Sequence, residues 1–260
     1  MGKTALITGA SSGIGYELAR CFAAGGANLV LVARDVTTLN QIANEMQTTF
    51  NVSAKVIPAD LSRPVAPAEI HRETEGASLA VDYLVNDAGF GAGGPFLDTD
   101  LQTELDMIQV NIVSLVHLTK LYLRGMRSRG SGGILNVAST AAFQPGPLMS
   151  IYYASKGFVL SFTEAIADEL RSAGITVTAL CPGPTATDFQ RRAHVEHIRL
   201  MKSKPLGMMT ASEVAAIGYR AFLKGKVIVI PGLINKIGVQ SVRISPRAAV
   251  RRVTRKLQES

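Results

Sequence analysis

The chain alternates between short apolar runs and longer segments whose apolar residues recur at helical spacing, and this alternation limits the possible fold more than any other feature. The run Asn28–Val32 (NLVLV) is almost continuously apolar, as expected for a strand that is covered on both faces. The segment after it places Leu39, Ala43 and Met46 three to four residues apart, as on one face of a helix. Repetition of this unit predicts a parallel sheet with helices on both faces.

Seven strands are predicted, and glycine, proline or a polar turn ends most of them. They are Thr4–Thr8, Asn28–Val32, Ala54–Ile57, Asp82–Val85, Gly133–Val137, Ile175–Leu180 and Val227–Ile230. Further helices are predicted at Gly13–Gly25, near 65–77, at about 101–129, at about 151–173, and from the capping box Thr210-Ala-Ser-Glu213 to about Lys224. Because no linker or repeat interrupts this order, we expect residues 1–238 to form a single α/β domain around a doubly wound parallel sheet. Residues 239–260 follow as a basic tail, which we predict to be helical.

Composition excludes several other classes of protein. Hydrophobic residues make up 47% of the 260 residues and charged residues 18%, whereas a disordered chain combines low hydrophobicity with high net charge. No segment offers the run of about 20 mostly apolar residues that a membrane-spanning helix needs. Cys21 and Cys181 are too far apart in sequence for a metal-binding motif, so we predict no metal site. We expect reduced thiols, no signal peptide and a cytoplasmic location.

Three glycines stand between the first predicted strand and the first predicted helix, in the stretch Gly9-Ala-Ser-Ser-Gly13-Ile-Gly15. Gly9 permits a tight turn off the strand, Gly13 lets the backbone approach a ligand, and Gly15 lets the helix pack closely on the sheet. Backbone N–H groups at a helix start attract phosphate. The stretch therefore predicts a site for the pyrophosphate of a dinucleotide, although its spacing differs from the G-x-G-x-x-G of other dinucleotide-binding folds.

Five stretches, in order, resemble the short-chain dehydrogenase/reductase family and together cover about residues 3–230. They are Thr8–Gly15, Asn86-Asp-Ala-Gly89, Asn111, Ser139 with Tyr152-Tyr-Ala-Ser-Lys156, and Pro182-Gly183. Asp87 departs from the asparagine that the family usually has at that position. The resemblance implies a Rossmann-like fold, oxidoreductase chemistry on alcohol or carbonyl groups, a nicotinamide cofactor and, by analogy, a homo-oligomer that is a dimer or a tetramer.

The resemblance also implies a catalytic set, which consists of Asn111, Ser139, Tyr152 and Lys156. Tyr152 would give a proton to the carbonyl oxygen, and Ser139 would hydrogen-bond that oxygen. Lys156 would lower the pKa of Tyr152 and bind the nicotinamide ribose, and Asn111 would hold a water behind Lys156. The residues themselves support part of this, because Tyr152 and Lys156 share one helix face and a nearby ammonium favours a phenolate. Tyr153 points about 100° away around the helix, and we expect it to serve packing.

The choice of cofactor depends on the residues that follow the second strand. A carboxylate about 20 residues past the glycines usually binds the ribose 2′-hydroxyl of NAD, and Asp35 lies 20 residues after Gly15. The strand ends near Val32, however, so Ala33 and Arg34 should face the ribose. Arg34 offers a planar fork of donors that suits a phosphate. We therefore predict NADP(H) as the cofactor.

Other cofactor contacts follow from the resemblance. Asp60-Leu61 matches the pair that contacts the adenine in the family, and Thr185 and Thr187 match contacts to the carboxamide and the phosphates. The predicted cofactor-binding residues are Gly9, Ser11, Ser12, Gly13, Ile14, Gly15, Arg34, Asp60, Leu61, Asn86, Ala88, Gly89, Tyr152, Lys156, Pro182, Gly183, Thr185 and Thr187.

Residues 184–209 match the segment that covers the substrate in the family, and we predict a substrate lid there. Its central part is basic, with five cationic residues against Glu196. The five are Arg191, Arg192, Arg199, Lys202 and Lys204. This pattern is compatible with a solvated helix face or with a lid over an anionic substrate such as an acyl thioester. Nearby methionines and leucines supply adaptable apolar surface. Fatty 3-oxoacyl, steroid and other carbonyl substrates therefore all stay open.

Much of the net charge of +7 lies in the last twenty residues. Arg247, Arg251 and Arg255 recur every four residues, and Val250 and Leu257 lie on another face. Such a basic amphipathic helix could contact a membrane surface, dock on a partner or serve as scaffold. A terminal basic patch without interleaved aromatic residues does not indicate nucleic acid. The favoured function is an NADPH-dependent reductase of a small-molecule ketone or aldehyde, and the alternatives are a non-catalytic NADP(H)-binding sensor and a membrane-surface protein.

Overall fold

A computed structural model describes residues 2–187, 189 and 208–259. The strands of this part are β1 (Thr4–Thr8), β2 (Asn28–Ala33), β3 (Ala54–Pro58), β4 (Tyr83–Asn86), β5 (Gly132–Val137), β6 (Ile175–Leu180), β7 (Thr185–Ala186), β8 (Met209–Thr210) and β9 (Ile228–Val229). Seven of these strands form one sheet in the order β3-β2-β1-β4-β5-β6-β9, and every neighbouring pair is parallel. The other two strands, β7 and β8, pair with each other. The predicted doubly wound sheet is confirmed.

Helices connect the strands and cover both faces of the sheet. Those of the described residues are α1 (Gly13–Ala24), α2 (Val36–Phe50), α3 (Ala66–Gly76), α4 (Leu101–Ile108), α5 (Leu115–Arg129), α6 (Ser150–Glu169), α7 (Ala211–Leu223), α8 (Leu233–Ile244) and α9 (Arg247–Gln258). A π-helix (Gln109–Ser114) joins α4 to α5, and short 3₁₀ turns occupy Thr140–Phe143 and Arg171–Ala173.

The alternation of side chains along the central strands explains the two helical layers. Ile7 of β1 packs in one core cluster with Phe22 of α1, whereas its neighbour Leu6 packs in another with Leu118 of α5. Both faces of a central strand are therefore apolar, and all five residues of β1 are buried. Burial of a large aliphatic or aromatic side chain contributes about 1.5–3 kcal/mol, so these two layers supply the main stabilisation of the sheet.

The order of the strands reverses at β1, which pairs with β2 on one side and with β4 on the other. Connections from β1 and β4 leave toward opposite faces, and this opens a crevice at the carboxyl ends of these strands. A buried polar chain holds the floor of the crevice together. The Nδ2 atom of Asn86 donates to Oδ1 of Asn136 at 2.9 Å, and Nδ2 of Asn136 donates to Oγ1 of Thr163 at 2.9 Å. The chain ties β4 and β5 to α6.

Two regions differ from the predictions. The segment expected to form one helix over about 101–129 is divided by the π-helix, whose extra residue per turn directs Asn111 and Ser114 into the interior. The boundary expected at residue 238 falls within α8. That helix was not predicted, because many of its apolar residues are exposed and it follows the last strand without a clear capping signal.

The basic tail forms the helix α9, which begins after Pro246. Its buried residues are Val250, Thr254 and Gln258, which lie one turn apart on a single face. Arg251 and Arg252 are exposed on the opposite side. Within the described residues, we find no helix with both the length and the apolar character required to cross a membrane.

Replacing Gly15 by alanine should destabilise the fold, because a Cβ atom there would collide with the carbonyl oxygen of Gly9 and with Oδ2 of Asp87. Overpacking of this kind costs about 1–3 kcal/mol. Urea unfolding followed by circular dichroism should therefore show a lower free energy of unfolding for Gly15→Ala. Gly76→Ala is the matched control, since a Cβ atom there meets nothing within 4 Å. An equal change for both variants would show that the turn is not tightly packed.

Candidate active site

A large cavity, of about 1220 Å³, lies at the carboxyl ends of the central strands. It begins at the turn between β1 and α1, passes the ends of β2 and β3, and reaches Ser139, Tyr152 and Lys156. Residues from α8 and α9 also line it. The cavity therefore follows the crevice at the reversal of strand order, where open α/β sheets bind ligands.

The glycine-rich turn forms one end of the cavity. Gly9 and Gly13 have positive φ angles of 71° and 59°, which favour glycine over residues with a side chain. A Cβ atom on Gly13 would press against Thr187, which also lines the cavity. The first N–H groups of α1 start here and give the turn a partial positive charge. These features fit the pyrophosphate of a dinucleotide cofactor.

Charged residues line the cavity beyond β2. Arg34 is exposed on the wall. Asp35 instead caps α2, because its Oδ1 accepts from the N–H of Thr38 at 3.1 Å and its Oδ2 from the hydroxyl of Thr38 at 2.6 Å. Hydrogen bonds from Thr38 lower the pKa of Asp35. The carboxylate that a simple count would assign to a ribose is thus already engaged.

Asp60 follows β3 and lines the same part of the cavity. Its Oδ1 accepts hydrogen bonds from the N–H and the hydroxyl of Ser62 at 3.0 and 2.9 Å. Partial burial opposes ionisation, but these hydrogen bonds and the charges of Arg34 and Arg63 lower the pKa of Asp60. The carboxylate is held in place as an acceptor next to the positive charge of Arg34.

Tyr152 and Ser139 face each other inside the cavity. Ser139 lies between the end of β5 and the 3₁₀ turn at Thr140–Phe143. Its Oγ accepts a hydrogen bond from the N–H of Ala141 at 3.0 Å. The Ser139 hydroxyl lies near the phenol of Tyr152 and acts to lower the pKa of that phenol. Tyr152 lies in the first turn of α6, and its ring is 5.2 Å from that of Phe189 between centroids. Two hydroxyl groups therefore point at one place on the wall.

Lys156 lies one turn after Tyr152 on α6 and is only 6% exposed. Its Nζ donates to the carbonyl oxygen of Val137 at 2.8 Å and lies 5.9 Å from the centre of the Tyr152 ring. Burial lowers the pKa of Lys156, whereas the negative charge of Asp87 raises it. Asp87 thus partly offsets the cost of burying the ammonium.

The electrostatics of Tyr152 differ from the expectation that Lys156 lowers its pKa. Burial raises the pKa of Tyr152 well above its ordinary value, the hydrogen bond from Ser139 opposes this, and the charge of Asp87 adds to it. The reason is geometric, since the ammonium of Lys156 is bonded to a backbone carbonyl rather than to the phenol oxygen. The phenol is therefore held in its protonated form.

Three predicted site residues do not line the cavity. Gly15 lies beneath the turn, where a side chain would strike Gly9. Asn86 was predicted to bind cofactor, but its amide is buried and donates to Asn136 and Thr119. Asn111 is 2% exposed. The three residues share one location, because each lies behind the cavity wall rather than on its surface.

Asn111 supports the cavity from behind. Its Oδ1 accepts from the N–H of Phe90 at 3.1 Å, and its Nδ2 donates to the carbonyl oxygen of Phe90 and to Oγ of Ser155, both at 3.0 Å. The amide thus joins the turn after β4 to α6. The predicted role of holding a water remains a prediction.

The remaining predicted residues all reach the cavity wall. They are Gly9, Ser11, Ser12, Gly13, Ile14, Arg34, Asp60, Leu61, Ala88, Gly89, Ser139, Tyr152, Lys156, Pro182, Gly183, Thr185 and Thr187. The predicted basic lid falls largely outside the described residues, including all five of its cationic side chains.

Sequence reasoning missed the contribution of the two C-terminal helices. Val239 and Val242 of α8 line the cavity, as do Val250, Leu257 and Gln258 of α9. Tyr153 was expected to serve packing, yet it also lines the cavity beside Tyr152. The buried residues of α9 recur every four residues in the sequence. Two of them, Thr254 and Gln258, are polar, so the sequence did not indicate that this face of the helix is buried.

Comparison with known proteins shows which family shares this fold and these motifs. The family model described as short chain dehydrogenase matches residues 3–197. The mouse protein 17-beta-hydroxysteroid dehydrogenase type 3 is 38% identical over 198 residues, which are 74% of this chain and 63% of that protein. The very-long-chain 3-oxoacyl-CoA reductase of Anas platyrhynchos is 37% identical over 196 residues, which are 74% of this chain and 62% of that protein. The chain thus spans less than two thirds of the length of either relative.

A solved structure agrees over nearly the whole chain. The short-chain dehydrogenase from Sphingobium yanoikuyae, in complex with NADPH, superposes with a TM-score of 0.82 and is 31% identical, and the match covers 93% of both chains. The family model, the parallel sheet and the positions of Ser139, Tyr152 and Lys156 agree with one another. The chain therefore belongs to the short-chain dehydrogenase family.

Proposed function

We propose that this protein is an NADPH-dependent reductase of ketones or aldehydes, which also catalyses the reverse oxidation of the alcohol. One observation carries the proposal: the phenol of Tyr152 and the hydroxyl of Ser139 line the same cavity that begins at the glycine-rich turn, with Lys156 buried one helical turn away. A cofactor at the turn and a carbonyl group at Tyr152 would share one enclosed space.

When bound, NADPH supplies a hydride to the carbonyl carbon. The residues of this chain supply the proton and the geometry. Ser139 and Tyr152 offer two hydroxyl groups to the carbonyl oxygen and stabilise the charge that develops there. Because its pKa is raised by burial, Tyr152 keeps its proton until that oxygen takes it as an alkoxide. Lys156 lies one helical turn from Tyr152 and, while it is protonated, provides a positive charge with which the phenolate left after transfer interacts favourably.

The assignment of NADPH rather than NADH rests on the end of β2. Arg34 lines the cavity next to Asp60, whereas Asp35 is engaged as the cap of α2. A guanidinium suits the geometry of a phosphate group, and no carboxylate at Ala33 repels it. The complex of the Sphingobium yanoikuyae protein with NADPH supports the same choice.

The substrate end of the cavity is mainly apolar. Met149, Phe189, Val239 and Val250 contribute to its wall, and such a surface favours a ketone with a large apolar body. The similar proteins are named for hydroxysteroids and for very long 3-oxoacyl chains, which are bodies of this kind. We propose a lipid-like carbonyl compound as the substrate class.

The competing function is that of a sensor that binds NADP(H) without turnover. Such a protein has no need for a proton donor, a partner hydroxyl and a buried ammonium in one cavity, so the set of Ser139, Tyr152 and Lys156 favours an enzyme. Screening carbonyl compounds for oxidation of NADPH separates the two, since a sensor would reduce none of them.

Arg34→Asp should change the cofactor preference, because a pairing of a cation with the 2′-phosphate becomes a repulsion between two anions. A lost hydrogen bond to a charged group costs about 1.5–3 kcal/mol, so the affinity for NADPH should fall by about 10- to 100-fold while that for NADH holds or improves. Titration calorimetry with both cofactors measures this. Arg72→Asp, an exposed change on α3, is the control. Equal affinity of the unmodified protein for both cofactors would contradict the assignment.

Tyr152→Phe should abolish most turnover and leave NADPH affinity nearly intact, because only the proton-donating hydroxyl is removed. Loss of general acid catalysis typically lowers the rate by about 100- to 10,000-fold. Steady-state rates with a reducible ketone, together with NADPH titration, test both parts. If Tyr153→Phe abolished turnover and Tyr152→Phe preserved it, the catalytic role would belong to the neighbouring phenol.

The pH profile should differ between the two directions of the reaction. Reduction needs the protonated phenol, and burial raises the pKa of Tyr152 above its ordinary value near 10. The rate of oxidation, which needs the phenolate, should therefore rise from neutral pH to about pH 9, whereas the rate of reduction, which needs the phenol, should not rise over that range. Measured profiles of kcat/KM in both directions decide this. A reduction rate that halves near pH 7 would show that the phenol already ionises there.

A further inference from the structure

The outer side of α8 exposes large apolar side chains to solvent. Leu233, Ile237 and Ile244 are 73%, 60% and 88% exposed, and their spacing of four and seven residues places them in one stripe along the helix. Lys236 and Arg243 are also exposed and lie on one flank of the stripe. Single exposed apolar residues are common, but a contiguous row of them indicates a surface that contacts another apolar body.

The helix α9, which follows after Ser245 and Pro246, adds many positive charges to this part of the molecule. From Leu233 to Glu259 the chain has seven cationic residues and one acidic residue. Glu259 pairs with Arg255 at 3.1 Å, and among the residues that the structure describes no acidic side chain pairs with the other six cations. All six are exposed; they are Lys236, Arg243, Arg247, Arg251, Arg252 and Lys256. Unpaired like charges repel one another, so an anionic partner would relieve this repulsion.

The cavity opens to solvent beside the same two helices. Ile234 of α8 and Val253 and Leu257 of α9 line the cavity, although all three side chains are exposed. A side chain that both lines a cavity and meets solvent lies at the mouth of that cavity. The mouth is therefore bordered by exposed apolar residues on the two helices that carry the apolar stripe and the unpaired cations.

We propose that the exposed sides of α8 and α9, here called the C-terminal surface, bind the surface of an anionic lipid membrane. The apolar stripe of α8 enters the boundary between headgroups and acyl chains, and the cations of both helices contact the anionic headgroups. Lysine and arginine suit this place, because their stems are apolar while their charged ends reach the headgroups. The mouth of the cavity then lies next to lipid, where a lipid-like ketone is dissolved.

Charge argues against a second copy of this chain as the occupant. In a symmetric contact the same patch of both copies meets itself, so the unpaired cations would face one another, and such contacts are unfavourable. Nucleic acid attracts cations through its phosphates but offers no apolar layer for Leu233, Ile237 and Ile244. An anionic membrane combines a negative surface with an apolar layer beneath it and so matches both features of the C-terminal surface.

Co-sedimentation of the full-length protein with vesicles tests the proposal and needs no turnover. Vesicles of phosphatidylcholine alone are compared with vesicles of phosphatidylcholine and phosphatidylglycerol in equal parts. The protein should bind the anionic vesicles at least about tenfold more tightly than the neutral ones. This difference should shrink between about 0.05 M and about 0.5 M salt, because salt screens the charges.

The first variant removes cations from α9. Arg251→Gln, Arg252→Gln and Lys256→Gln combined should weaken binding to anionic vesicles by about 100-fold, because each basic residue near such a surface contributes about fivefold. The matched control changes the net charge equally but removes exposed cations of α3 and α5. It combines Arg72→Gln, Lys120→Gln and Arg124→Gln and should bind nearly as tightly as the unmodified protein.

The second variant removes the apolar stripe. Ile237→Ser with Ile244→Ser should weaken binding to the anionic vesicles by about 10- to 100-fold, because fewer apolar side chains then enter the membrane. Leu97→Ser with Leu101→Ser, at the start of α4, replaces two other exposed apolar residues and serves as the control. Circular dichroism and NADPH titration show whether each variant is folded.

Several results would overturn the proposal. They are no binding to anionic vesicles, equal and salt-insensitive binding to both kinds of vesicle, or a loss in the control variants as large as that in the C-terminal variants. Sedimentation velocity without vesicles tests the second copy: a dimer that dissociates in the Ile237→Ser, Ile244→Ser variant, without vesicle binding, would assign the surface to self-association. None of these results bears on the proposed reductase function, which fails only if no carbonyl compound is reduced by NADPH.

Discussion

The parallel pairing of β1 with both β2 and β4 is the constraint on which the site depends. Because the chain order reverses at this strand, the loops that follow β1 and β4 diverge and leave a crevice between them. Gly9 and Gly15 let the turn after β1 pass close to Asp87 and Ala88 after β4, where a side chain would find no room. Arg34, Asp60 and Ser139 follow the ends of β2, β3 and β5. Because these strands are parallel, their carboxyl ends lie at one edge of the sheet and bring the three residues there.

Burial of Lys156 has a cost that the surrounding residues offset. An ammonium removed from water loses hydration, and this lowers its pKa. The Val137 carbonyl accepts one of its hydrogen bonds, and the charge of Asp87 acts in the opposite direction to burial. The aspartate in place of the usual asparagine of the family therefore has a physical consequence: it adds a negative charge that favours the protonated lysine and, at the same time, the protonated phenol of Tyr152.

The sequence predicted the sheet and the glycine-rich turn because these depend on local patterns, namely apolar strands and glycines at a turn. The set of Ser139, Tyr152 and Lys156 instead followed from the resemblance to the family, and the structure brings these three residues to one cavity. The sequence does not show that the side-chain amide of Asn86 is buried and donates to Asn136 on the neighbouring strand, because a polar residue next to a glycine motif also fits a contact to a ligand. It missed the role of α9 for a similar reason. Thr254 and Gln258 are polar but buried, and only tertiary structure indicates that they face a cavity rather than solvent.

The helix α9 is too short to be stable alone in water, so its order depends on its contacts with the body of the protein. Those contacts include the bond from Gln258 to Tyr153 and the burial of Val250 and Thr254. Because the same face also lines the cavity, a ligand that contacts this face binds only the docked helix. Binding and docking must then stabilise each other by the same free energy. Docking of α9 and binding of a ligand next to it are thus thermodynamically linked. The residues around the glycine-rich turn, by contrast, are held in place by the sheet.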